Sequence, residues 1–136
     1  MNLFRRLFGG WGILCRMYPD RDIVVDRSFS ESSLYFSGSL FGYFGRCIDV
    51  AVGSYGIRLS VAVFGVGPLR SPIVLPWNAI ESCTPARFGW VGDALRITVR
   101  GWPCPIVLGR FLWKYGDVCS YTINRWREVG VQKPHR

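Results

Sequence analysis

Histidine occurs once in this chain, at His135, and lysine only twice, at Lys114 and Lys133. The five cysteines, Cys15, Cys47, Cys83, Cys104 and Cys119, form no C-x-x-C pair. A zinc site needs short-spaced Cys or several His, so no metal is expected. Acidic residues number only 9 and are scattered, which leaves no His or carboxylate pair for general acid–base work. No Gly-rich loop ends in Lys-Ser/Thr and no G-x-S-x-G occurs, so the sequence offers neither a nucleotide cofactor site nor an activated serine. A nucleophilic cysteine would lack its histidine. The expectation is no enzyme and no cofactor.

No run of 18 apolar residues is present, which excludes a conventional membrane-spanning helix. The odd cysteine count and the lack of a cleavable signal peptide favour free thiols in a reducing, cytoplasmic compartment, at most peripheral to the inner face of a membrane.

What is present is apolar and basic. Hydrophobic residues make up 49% of 136 residues, enough for the core of one domain and not two. The formal charge is +8, carried mostly by the second half of the chain and by arginine. Arginine suits bidentate contacts to phosphate or carboxylate, so anionic partners come into view. Arg96, Arg100, Arg110, Arg125 and Arg127 are the candidate anion- or partner-binding set, with Trp90, Trp102 and Trp113 interleaved. Aromatics of this kind in a small β protein are more often core.

Near the N-terminus, Phe4, Leu7, Phe8, Trp11, Leu14, Cys15 and Tyr18 share one helical stripe. Two readings fit residues 1–19. One is an interfacial anchor in which Phe4, Arg5, Arg6, Phe8 and Trp11 meet an anionic membrane surface. The other is a helix docked on a sheet, weakened by Gly9, Gly10 and Gly12. Asp20, Asp22 and Asp26 with Arg21 and Arg27 read as a solvated loop, since a calcium loop needs more ligands and its glycine.

Beyond this loop the period becomes two. Ile48, Val50 and Val52 share a face, as do Ile57, Leu59, Val61 and Val63, with a hairpin-length turn at Gly53–Gly56. Residues 72–76 form a short strand bracketed by prolines, which fits an edge or a strand start better than a central position. Leu95, Ile97 and Val99 point inward, with Arg96, Thr98 and Arg100 on the outward face of the same strand. Residues 101–105 read as a turn before a short strand at 106–108. A C-terminal helix over 117–129 takes Asp117 as N-cap, buries Cys119, Ile123 and Trp126, and stops at Gly130. The expected organisation is an N-terminal segment 1–19, a single β domain over 20–130, and a frayed tail 131–136. The fold class is mainly β with one C-terminal helix and a short N-terminal amphipathic helix.

This order of hairpins closed by one helix resembles a pleckstrin-homology (PH)-like antiparallel barrel or sandwich. More specifically, Gly56-Ile57-Arg58-Leu59-Ser60 followed by Pro72-Ile73-Val74-Leu75-Pro76-Trp77-Asn78-Ala79-Ile80 is similar to a motif of small bacterial proteins predicted to be PH-like or GRAM-like. Their Trp…Tyr-Pro opening is matched by Trp11…Tyr18-Pro19. The resemblance makes Gly56, Pro76, Trp77 and Ile80 fold-defining, and it implies a binding module. The basic cluster by which PH domains hold inositol lipids has only Arg46 and Arg58 to match it, so that ligand is not implied. A protein partner is the favoured expectation. An anionic lipid surface met through the N-terminal segment comes next, and nucleic acid on the basic C-terminal half is the third.

Overall fold

The computed structural model describes residues 10–36, 43–63, 67–68, 71–88, 92–109 and 116–132. A short helix, α1 (Gly10–Met17), precedes strands β1 (Val25–Phe36), β2 (Tyr43–Gly53), β3 (Gly56–Val63), β4 (Gly67–Pro68) and β5 (Ile73–Pro76). A 3-10 turn over Trp77–Ala79 leads into β6 (Ile80–Phe88), β7 (Gly92–Val99) and β8 (Trp102–Gly109), and α2 (Gly116–Gln132) follows.

Neighbouring strands are antiparallel in the order β4-β3-β2-β1-β8-β7-β6, with β5 also on β3. β1 joins the two halves. Its first residues pair with β2 (Val25↔Gly53), and Ser33–Phe36 pair with β8 as well. Register shifts interrupt its β2 pairing at three places. Such irregularities bend a strand and let one sheet turn back on itself. The two halves then share one core: Ile48, Val50, Val52, Ile57, Leu59 and Val61 lie in the same cluster as Leu95, Ile97, Val99, Ile106 and Leu108.

Two glycines fix the β2–β3 end. A Cβ on Gly56 would sit 1.9 Å from the Leu75 carbonyl oxygen, and one on Gly53 would sit 1.9 Å from that of Val24. Both neighbours are backbone, so no side chain can move to make room. Trp77 is buried against this end, donating its backbone N–H to Tyr55 O and its indole Nε1–H to Gly53 O at 2.9 Å. Pro76 pairs with Gly56, and Ile80 is buried with its carbonyl accepting from Trp126 Nε1.

The structure bears on several expectations. Trp11 and Leu14 of α1 lie in the main core, which is the docked-helix reading for that part of the N-terminal segment. β5 begins directly after Pro72 and pairs among the strands with β3 alone, its other edge meeting Tyr18 and Pro19, and its residues 73–75 are buried. β8 begins at Trp102, and the turn is only Arg100-Gly101, where Gly101 takes φ 79°, a conformation that favours glycine. α2 starts at Gly116, one residue before the expected cap, and continues through Gly130 to Gln132. Glycine lowers helix stability by about 1 kcal/mol but does not forbid helical backbone, so it need not end a helix.

Candidate functional site

The chain leaving α1 crosses the barrel as a strap over residues 18–27, held from four directions. Tyr18 donates its hydroxyl to Arg100 O at 2.8 Å. Asp20 takes a two-pronged contact from Arg58 on β3, Nε to Oδ1 at 2.9 Å and Nη2 to Oδ2 at 3.1 Å. Val24 O accepts from Ser54 N in the β2–β3 turn. Asp26 accepts from Arg125 on α2, with Nη2 to Oδ2 at 2.7 Å, and Arg125 also reaches Glu128 at 3.5 Å. Hydrogen bonding to Asp26 raises the Arg125 pKa above the ordinary arginine value.

The strap's two arginines are held differently from its aspartates. The Arg21 guanidinium lies 4.0 Å from the centre of the Tyr55 ring. That of Arg27 lies 5.1 Å from the rings of both Phe29 and Tyr121, which meet edge to face at 6.4 Å. An aromatic ring fixes the plane of a guanidinium and attracts its charge while leaving its N–H edge open. Both arginines are exposed.

An open cleft of about 460 Å³ lies between the strap and the barrel, bounded by Met17, Tyr18, Arg21, Tyr55, Val74 and Pro76. Asp20 and Asp22 line it as well. The exposed large hydrophobics among the described residues are Met17 at 37%, Val24 at 72% and Val25 at 46%. All three fall on or beside the strap.

Of the arginines singled out from the sequence, two are engaged within the domain, Arg100 and Arg125. Arg96 is exposed on β7. Arg100 lies in the turn beyond that strand and donates Nη2–H to Asn78 O at 2.8 Å, so the two do not share a strand face. Arg125 is tied to Asp26 and Glu128, which removes it from an open basic patch. Arg127 is exposed on α2. Arg110, Lys114, Trp90 and Trp113 lie outside the residues whose side chains the structure describes, while Trp102 is buried. Phe4, Arg5, Arg6 and Phe8 also lie outside the described residues. Trp11, expected at a membrane surface on one reading, is 4% exposed and donates Nε1–H to Ser71 O at 2.9 Å. Leu14, one turn further along, is fully buried in the same core.

Sequence reading placed Arg21 and Arg27 in a solvated loop and gave Tyr55 no role. One signal was available, the recurrence of Asp-Arg at 20–21 and again at 26–27. Each time, the aspartate holds an arginine from another element and the arginine stacks on a distant ring.

Cys15 and Cys83 are free thiols. Cys83 is pushed up to about 12 by burial first and by Cys119 second, with Arg127 pulling the other way. A thiol so placed is not a nucleophile at neutral pH. Among the described residues no group of His, Cys, Asp and Glu could hold a metal ion, and no helix is long and apolar enough to cross a membrane.

No protein-family model and no curated protein matches the chain. In shape it is similar to a solved structure described as "Vps36 N-terminal PH domain", with a TM-score of 0.63 over 80% of this chain and 83% of that chain. The identity is 9%, so the likeness is one of fold, and the fold is PH-like.

Proposed function

We propose that this PH-like domain is a non-catalytic binding module that receives another protein on the strap face, residues 17–27 with Tyr55. One observation carries the reading. The three exposed large hydrophobics gather on this one segment beside an open cleft, flanked by ring-stacked arginines. An apolar centre with a polar rim, enriched in arginine and tyrosine, is the usual anatomy of a protein interface. The aspartates that a catalytic reading would need, Asp20 and Asp26, are engaged in ion pairs. The burial of Trp11 and the engagement of Arg100 and Arg125 within the domain weigh against the membrane and nucleic-acid readings.

A photo-crosslinking residue in place of Val24, with Thr84 on β6 as the control position, tests this in producing cells. The expected result is a discrete adduct with one protein, identified by mass spectrometry, from position 24 and not from 84. Equal adducts from both positions, or lipid or nucleic-acid adducts alone, would overturn the reading.

Two finer inferences accompany it. Kinship with the small bacterial PH-like or GRAM-like proteins is supported by Gly56 and Trp77, whose places in the fold leave little freedom for substitution. Relatives that replace either residue while keeping the rest of the motif would count against it. A reducing, cytoplasmic location is supported by the free Cys15 and Cys83 thiols, and recovery of the protein with disulfides from alkylated cells would contradict it.

A further inference from the structure

We propose that the partner's docking element is an extended acidic and apolar segment. Its carboxylates take the open edges of Arg21 and Arg27, and its apolar side chains cover Met17, Val24 and Val25. This rests on the strap face being the docking surface and adds the chemistry of what docks there.

The charge arrangement of the strap carries the argument. Its acidic residues are largely consumed from within, Asp20 by Arg58 and Asp26 by Arg125. Its arginines are oriented by rings and hydrogen-bonded to no carboxylate among the described residues. A guanidinium fork held in place beforehand loses less freedom when it binds a carboxylate than a free side chain would. The whole chain at +8 adds attraction for an acidic partner at longer range. Between the forks stand Val24 and Val25, the two most exposed of the three apolar side chains. Burying them requires an apolar counterpart, which a bare polyanion does not provide. From residue 21 to residue 27 the backbone spans at most about 20 Å, which suits a segment of roughly six to eight residues.

Asp22 supplies the sign test. It lines the cleft next to Arg21 and has no ion pair among the described residues. It repels an acidic segment and attracts a basic one, so Asp22→Asn separates the two possibilities by direction.

The full chain, isotope-labelled, is titrated at low salt with three synthetic peptides of about eight residues, in keeping with the span above. These alternate Glu with Leu, Lys with Leu, and Glu with Ser. Anionic vesicles and single-stranded nucleic acid form two further arms. The expected result is that the Glu/Leu peptide moves NMR signals of residues 17–27 and Tyr55. It binds at least about tenfold tighter than the others, since a charged hydrogen bond is worth that factor or more. The double variant R21S/R27S and the double variant V24S/V25S each weaken it by about tenfold or more, with folding checked by circular dichroism. Asp22→Asn tightens it by about two- to fivefold, the scale of an exposed charge pair. Preference for the Lys/Leu peptide, weakening by Asp22→Asn, or tighter binding of vesicles or nucleic acid overturns the proposal. If V24S/V25S abolishes binding while R21S/R27S does not, the acidic identity fails and the docking face stands. If neither matters, if the shifts map elsewhere, or if no peptide binds, both fail.

Discussion

Asp26 at the start of β1 and Arg125 on the C-terminal helix are separated by 99 positions, yet an Arg125 nitrogen lies 2.7 Å from a carboxylate oxygen of Asp26. The side chains are 26% and 30% exposed, so water and salt weaken the attraction. A double-mutant cycle on D26N and R125A is expected to give a coupling of about 0.5–1 kcal/mol that shrinks at high salt. A salt-independent value would mean that packing, not charge, links strap to helix.

Gly56→Ala is expected to cost about 3 kcal/mol or more, because the added carbon overlaps backbone and forces β3 away from β5. Urea denaturation measures the loss. A cost below about 1 kcal/mol would show that this edge is looser than described.

Trp11→Ala should lower stability by about 3–5 kcal/mol, the scale for truncating a buried aromatic. Trp11→Phe should recover most of the packing and lose about 1 kcal/mol for the hydrogen bond to Ser71 O. Full stability after removal of residues 1–18 would contradict the core position of α1.

The Cys83 thiol gives a pH signature. Its folded pKa is about 12 against an ordinary 9.0, so the native state holds this proton more tightly than the unfolded chain. The corresponding stability is complete below pH 9 and is lost as pH rises from 9 toward 12, with a slope approaching 1.4 kcal/mol per pH unit. Thermal midpoints of wild type and Cys83→Ala should therefore converge over that window. Parallel curves would place Cys83 in a wetter environment.

Much of the architecture was legible in the sequence. The alternation through Ile48–Val52 and Ile57–Val61, the outward Arg96, and the helix face of Cys119 and Ile123 follow from periods of two and 3.6. The N-terminal stripe was ambiguous because a helix facing a sheet and a helix facing lipid bury the same periodic side chains. Trp11 is resolved by a partner, Ser71, that lies 60 positions away. The candidate site was hidden for a related reason. Which arginine meets Asp20 or Asp26, and which ring lies under Arg21, depends on contacts between distant segments, whereas local composition sees only a polar loop.

The docking of α1 also sets an order of events during synthesis. This helix has eight residues with Gly10 and Gly12 among them, too short and too glycine-rich to persist alone in water. Its side-chain contacts run to the carbonyls of Ser71 and Pro72, so they cannot form until that stretch has left the ribosome. The helix is thus committed late, and until then its apolar face at Trp11 and Leu14 is open to a chaperone or to a neighbouring nascent chain.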